Sequence, residues 1–134
     1  MLRNIMPHIN IQYSQNLQPE IDIQHLCETI RQACLSIEAF PMAGIRVRAT
    51  AVDYYAIADG NPAHGFIDII VRLREGRPLE VRQAAIQDIF DQAKAFLAEA
   101  FDTNSIALSA EIIEIDAALS PKYGTIRAHL TDEE

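Results

Sequence analysis

The residues of this chain that could do chemistry are one proline and a group of arginines. Pro7 follows Met6 at the head of an alternating segment. Within a chain, the proline nitrogen is a tertiary amide with no N–H and no useful basicity. If translation begins at Met6 and the methionine is removed, Pro7 becomes a terminal secondary amine that can accept a proton. We therefore expect residues 1–6 to be an extension or an upstream start, and residues 7–134 to be the working domain.

The arginines are concentrated near two strand-like segments of an otherwise acidic protein. They are Arg46, Arg48, Arg72, Arg74 and Arg77. The planar guanidinium group binds a carboxylate through paired hydrogen bonds, each contributing roughly 1.5–3 kcal/mol, so the group suits a small anionic ligand. The alternative is ion pairing on a solvated face, which is the commoner situation for any one arginine. The acids available for it are Asp53, Asp68, Glu75 and Glu80.

Other kinds of site have weaker support. The four histidines, at positions 8, 25, 64 and 129, show no metal-ligand spacing, and Cys27 and Cys34 form no CxxC pair. We therefore expect no metal site. Seven residues of helix separate the two cysteines by roughly 10 Å, too far for a disulfide, so they are predicted to be buried free thiols. Composition leaves Ser-His-Asp or Cys-His catalysis open, although no nucleophile elbow is present.

The totals predict a single domain in the cytoplasm. The chain has 134 residues, with 11 Lys and Arg against 19 Asp and Glu, for a net charge of −8. Nucleic acid and anionic membrane surfaces both require a cationic face, so neither is expected as the main partner. No segment has the length of a membrane span or the apolar core of a signal peptide.

The elements that must position these residues alternate between strand and helix. Period-two patterns predict strands near residues 8–14, 43–51, 66–73 and 106–115. Period-3.6 patterns predict one helix from an N-cap at Asp22 to before Phe40, and a second from about Pro78 to Phe101. The order is a duplicated βαβ unit, which predicts an α/β (α+β) fold: a four-stranded mixed sheet with two helices on one face. Other subunits are expected to cover the opposite face.

Two further features of these elements are predicted. The second helix should bury a continuous apolar stripe. Its members are Leu79, Ile86, Ile89, Phe90, Ala93, Phe96, Leu97 and Ala100. After the fourth strand, Tyr123 to Leu130 is expected to form a short edge strand or an arm.

Taken together, these features resemble the tautomerase superfamily, and within it the 5-carboxymethyl-2-hydroxymuconate isomerase family. The likeness covers nearly everything after Met6. Its most specific segments are those around Gly44-Ile45-Arg46 and Gly76-Arg77. The others are Met6-Pro7-His8, Ala58-Asp59-Gly60 and Ala107-Leu108-Ser109-Ala110-Glu111-Ile112.

The resemblance implies a homotrimer and a cofactor-free 1,3-allylic or keto-enol proton shift on a small dicarboxylate from aromatic-acid breakdown. Pro7 matches the amine that carries the proton. Arg46 and Arg77 match the clamps for the carboxylates and the 2-oxo or enolate oxygen, with Arg48 as a neighbouring binding residue. His8 follows the proline as in the family, and we interpret it as part of the strand rather than as a catalyst.

Two alternatives remain open. One is a tautomerase for another 2-oxo or 2-hydroxy acid, such as a phenylpyruvate-type substrate. The other is a non-catalytic trimer that binds anions, which applies if residues 1–6 are retained and Pro7 stays an amide.

Overall fold

The computed structural model describes residues 7–38 and 40–130. It contains four strands and three α-helices within these residues. In chain order they are β1 (His8–Ser14), α1 (Ile23–Leu35), β2 (Arg46–Val52), β3 (His64–Arg74), α2 (Leu79–Phe96), α3 (Ala98–Thr103) and β4 (Ser105–Ile115). The four predicted strands are all present.

The strands form one mixed sheet in the order β2-β1-β3-β4. β1 runs parallel to β2, β3 runs parallel to β4, and the central pair β1 and β3 is antiparallel. Each parallel pair is joined through helices, as parallel neighbours require. The duplicated βαβ unit and the four-stranded mixed sheet are therefore confirmed.

One face of the sheet forms the core. Ile9 and Ile11 of β1 lie beside Ile67 and Ile69 of β3, and all four are at most 1% exposed. The strands alternate, so every second residue points to this face. The helices cover it with buried side chains that include Leu26, Ile30, Ile89 and Ala93. Burying each large aliphatic side chain contributes about 1.5–3 kcal/mol, so this face accounts for most of the drive to fold.

The first helix begins and ends as the sequence predicts. The side chain of Asp22 accepts a hydrogen bond from the backbone N–H of His25 at 3.0 Å, which satisfies one of the unpaired donors of the first turn. The helix ends at Leu35, before Phe40. It thereby crosses the sheet once and leads the chain back to the start of β2.

The second predicted helix is wrong in two respects. It is divided at Leu97 into α2 and α3, because Leu97 leaves helical geometry (φ −89°, ψ 6°) while its side chain stays 1% exposed in the core. The fold thus has three helices rather than two. The predicted buried stripe also fails at two positions: Leu79 in the first turn of α2 is 56% exposed, and Phe90 is half-buried and lies outside the core cluster.

The segment after β4 contains no strand among its described residues. It has short 3₁₀ turns at Ala117–Leu119 and Arg127–His129, and Tyr123 is 94% exposed. The edge-strand prediction for 123–130 is wrong, because these residues form no strand and pair with neither edge of the sheet; the arm alternative fits. None of the helices in the described ranges is long and apolar enough to cross a bilayer.

Candidate functional site

Pro7 and Arg46 lie side by side at one end of the sheet. The carbonyl oxygen of Pro7 accepts a hydrogen bond from the backbone N–H of Arg46 at 3.2 Å, just before the first paired residues of β1 and β2. The ring of Pro7 is fully buried. Two of the predicted site residues are therefore brought together. The expectation about residues 1–6 falls outside the described residues.

The guanidinium group of Arg46 is held by two acceptors. Its Nη1 lies 3.0 Å from Nε2 of His8 and 3.4 Å from the carbonyl oxygen of Gly44. Arginine can only donate, so Nε2 of His8 must be the acceptor and the imidazole proton must be on Nδ1. Burial and, to a smaller extent, the positive charges of Arg46, Arg48, Arg72 and Lys122 together lower the pKa of His8 to about 4. The imidazole is therefore neutral near pH 7.

The uncovered face of the sheet collects further arginines around His8. His8 stands opposite Arg46 on β2 and Arg72 on β3. Arg48, two residues along β2, points to the same face because strand side chains alternate, and it is exposed. The sequence analysis includes Arg72 in the arginine group but gives it no individual role. The antiparallel register of β1 and β3 places it at the site, and a register between distant strands cannot be read from local spacing.

Arg77 lies at the same end of the sheet, and it makes no hydrogen bond to Pro7 or Arg46 within the described residues. It follows the end of β3 by three residues, after a turn in which Gly76 has φ 110°. Because β3 is antiparallel to β1, the end of β3 lies beside the start of β1. The backbone carbonyl of Arg77 accepts a hydrogen bond from Nε of Arg82 at 3.0 Å. Its half-buried guanidinium group makes no hydrogen bond within the described residues.

The ion-pair alternative is not what the described residues show. Their salt bridges join Arg31 to Glu28, His64 to Asp59 and Arg82 to Glu114. None of these pairs uses a member of the arginine group, which is Arg46, Arg48, Arg72, Arg74 and Arg77. Asp68, one of the acids that could have neutralised them, accepts instead from the hydroxyl of Ser109. The cations at this end of the sheet thus have no acidic partner among the described residues, which favours a bound anion.

The cysteines do not belong to a reactive site. Cys34 is buried and Cys27 is half-buried, so the prediction of buried thiols is right for Cys34 and too strong for Cys27. Burial raises the pKa of Cys27, and it raises the pKa of Cys34 to about 12, with the carboxylate of Asp88 adding to the effect. Only a thiolate is a good nucleophile, so both thiols are inert near pH 7. Within the described ranges, no cluster of potential ligands could hold a metal ion.

A Ser-His-Asp contact lies at the opposite end of the sheet. Nε2 of His64 is 2.8 Å from Oδ1 of Asp59, and Nδ1 is 2.7 Å from Oγ of Ser105. It borders a depression of about 410 Å³ in the loop between β2 and β3. Sequence reasoning missed this contact because 41 residues separate His64 from Ser105.

This contact joins a loop to the sheet, and two backbone donors in that loop are already used. The backbone N–H groups of Asn61 and Ala63 could have served an oxyanion, but they already donate to Oδ1 of Asp59 and Oδ1 of Asn61. The carboxylate of Asp59 is also three-quarters exposed. Hydrogen bonds from the backbone of Asn61 and from His64 lower the pKa of Asp59. The contact ties the β2–β3 loop to the first residue of β4.

Known proteins match this chain over most of its length. The family model described as 5-carboxymethyl-2-hydroxymuconate isomerase matches residues 7–130, so the match begins at Pro7. A protein of Escherichia coli, 5-carboxymethyl-2-hydroxymuconate Delta-isomerase, is 32% identical over 123 residues. That alignment covers 92% of this chain and 98% of the relative.

Solved structures agree with the sequence matches. A crystal structure of 5-carboxymethyl-2-hydroxymuconate delta-isomerase is similar with a TM-score of 0.87 and 30% identity, covering 96% of this chain and 95% of the other. A 5-carboxymethyl-2-hydroxymuconate isomerase from Deinococcus radiodurans R1 has a TM-score of 0.86 and 32% identity. It covers 92% of this chain and 93% of its own.

Proposed function

Because this chain belongs to the 5-carboxymethyl-2-hydroxymuconate isomerase family of the tautomerase superfamily, we propose that it shifts a proton within 5-carboxymethyl-2-hydroxymuconate or a close dicarboxylate analogue. The reaction needs no cofactor and belongs to the breakdown of aromatic acids, such as homoprotocatechuate, in the cytoplasm. The observation that carries the proposal is the contact between Pro7 and Arg46. It places a potential base beside the backbone of a residue whose guanidinium group has no acidic partner in the described chain.

The proposed mechanism is a proton transfer by the nitrogen of Pro7. As a free terminal amine, Pro7 removes a proton from one carbon of the substrate and returns it to the other end of the allylic system, with no net change in the enzyme. An ordinary α-amine has a pKa of about 7.7–8.0. Burial and neighbouring guanidinium charge both disfavour the protonated amine, so Pro7 is neutral and basic near pH 7.

The arginines have the complementary role. Arg46 and Arg77 bind the substrate carboxylates and the 2-oxo oxygen, and Arg48 adds charge on the same face of the sheet. Negative charge grows on this oxygen as the dienolate forms, and fixed guanidinium groups stabilise it without reorganisation. Base and electrostatic stabiliser thus act on the same intermediate.

We also propose that the working form is a homotrimer. β4 is an edge strand of 11 residues, and Ile113, near its end on the uncovered face, is 44% exposed. Beyond it, Leu119 and Tyr123 are 80% and 94% exposed. A long edge strand followed by exposed apolar side chains favours association. Sedimentation equilibrium should give three times the chain mass, and a monomeric mass would contradict the trimer.

The amine mechanism requires that Pro7 be the first residue of the chain. Two forms of the protein should be purified, one beginning at Pro7 and one retaining residues 1–6, and assayed on 5-carboxymethyl-2-hydroxymuconate. We expect activity only in the form with a free Pro7 nitrogen, because an amide cannot accept the proton. Matching circular dichroism and sedimentation would establish that both forms are folded. Equal activity of the two forms would reject Pro7 as the base.

The substrate class requires a separate comparison. If Arg46 and Arg77 each bind a carboxylate, a substrate with one carboxylate loses one of these contacts. The form that begins at Pro7 should therefore have a higher kcat/KM for the dicarboxylate than for a monocarboxylate. A phenylpyruvate-type monoacid processed equally well would favour a broader tautomerase.

A further inference from the structure

We propose that His8 is a positioning residue, whose Nε2 holds the guanidinium group of Arg46 in the orientation that receives a substrate carboxylate. This inference deepens the proposed function and rests on it for the role of Arg46 as a clamp. His8 itself does not touch the substrate in this proposal; it acts through Arg46.

Arg46 is held in a way that leaves its binding edge open. Its backbone N–H is fixed to Pro7, and its Nη1 contacts Nε2 of His8 and the carbonyl oxygen of Gly44. Both side-chain contacts therefore use the same nitrogen. The remaining edge, formed by Nε and Nη2, makes no hydrogen bond in the described residues. That edge presents two parallel N–H groups, the geometry that a carboxylate accepts.

The positive charges around His8 disfavour protonation of its imidazole, so Nε2 remains a hydrogen-bond acceptor. Arg46 and Arg48 face it from β2, Arg72 faces it from β3, and Lys122 approaches from the segment after β4. All four are cations, so a proton on Nε2 would be repelled from every side. Protonation would also turn Nε2 into a donor facing another donor, and the contact with Arg46 would be lost. The arrangement works only with a neutral imidazole.

Kinetics of matched variants test this role in the form that begins at Pro7. The variants are His8→Ala, which removes the acceptor, and His8→Gln, whose amide oxygen replaces Nε2 at a similar reach. Gln12→Ala, an exposed side chain farther along β1, is the control. If positioning matters for substrate binding, His8→Ala should raise KM about tenfold with kcat changed less than about threefold, and His8→Gln should recover most of the KM. An unchanged KM in His8→Ala, or equal impairment in both variants, would overturn the proposal.

A measurement without substrate separates this inference from the proposed function. NMR of the imidazole nitrogens should place the proton on Nδ1 and give a protonation midpoint near pH 4 for the signal that His8→Gln removes. A proton on Nε2, or a midpoint near the ordinary 6.5, would refute the positioning contact. If the NMR result holds while the enzyme is inactive on every dicarboxylate tested, the contact is supported and the assigned substrate class is wrong.

Discussion

The backbone N–H of Arg46 donates to the carbonyl oxygen of Pro7 at 3.2 Å, so the candidate base and a candidate clamp are fixed to each other by the sheet itself. The bond joins backbone atoms, so the side chain of Arg46 takes no part in it. A change at the Arg46 side chain therefore leaves the position of Pro7 intact, and the contributions of binding and of the fold can be measured separately.

Removing either clamp should reduce catalysis without unfolding the protein. Arg46→Ala and Arg77→Ala should each lower kcat/KM by about 10- to 150-fold, because each loses a charge-assisted contact of roughly 1.5–3 kcal/mol. Neither guanidinium group is in a salt bridge in the described chain, so the free energy of unfolding should change by less than about 1 kcal/mol. Steady-state kinetics and urea unfolding check the two halves of this prediction.

Arg31→Ala is the matched control for the clamp variants. Arg31 is a partly exposed arginine of α1 that pairs with Glu28, three residues away on the same helix. Its removal should leave kcat/KM unchanged. Unchanged kinetics in Arg46→Ala and Arg77→Ala as well would show that neither arginine binds the substrate.

Local patterns were enough to predict most of the fold. Alternation located the strands because a strand with one buried face must alternate, and Ile9, Ile11, Ile67 and Ile69 do so. Asp22 was predicted as an N-cap because its carboxylate needs only the backbone three residues away. The break at Leu97 was not predicted. Its apolar side chain fits the helical period, but its backbone does not have helical dihedral angles.

The candidate site was only partly predictable, because some of its contacts depend on how distant strands pair. Pro7, Arg46 and Arg77 were singled out in sequence, and the sheet places all three at one end. The contact of His8 with Arg46 and the approach of Arg72 depend on pairing between distant strands. Local spacing carries no information about that pairing, so the acceptor role of His8 was not foreseen.

The neutral His8 should make stability depend on pH. Its pKa is about 4 in the folded protein and 6.5 ordinarily, so between these values the unfolded chain binds more protons. The free energy of unfolding should then fall as the pH drops from 6.5 towards 4, and level off outside this window. Urea unfolding of the wild type and His8→Gln across pH 4–7 isolates the effect, because other groups contribute equally to both. A constant difference between the two proteins would contradict it.

The hydrogen bond between His64 and Ser105 should stabilise the β2–β3 loop and should not affect catalysis. Ser105→Ala removes the hydroxyl that contacts Nδ1 of His64, so hydrogen exchange in the β2–β3 loop should become faster. The tie lies at the end of the sheet opposite Pro7, so kcat/KM should stay within about twofold. Ser109→Ala, farther along the same strand, is the control for loop exchange. A large loss of isomerase activity in Ser105→Ala alone would place this contact in the catalytic machinery.

Gly65 should tolerate a side chain poorly because its surroundings are crowded. A Cβ at this position would lie 2.8 Å from Cδ2 of Leu17 and 3.0 Å from Oγ of Ser14, closer than packed atoms allow. Leu17 is only 2% exposed and cannot move aside freely, so Gly65→Ala should cost about 1–3 kcal/mol by urea unfolding. Gly124→Ala, where a Cβ meets nothing within 4 Å, should be nearly neutral. If crowding against Leu17 is the cause, Gly65→Ala should cost less when introduced into a Leu17→Ala background. An equal cost in both backgrounds would exclude crowding against Leu17 as the cause.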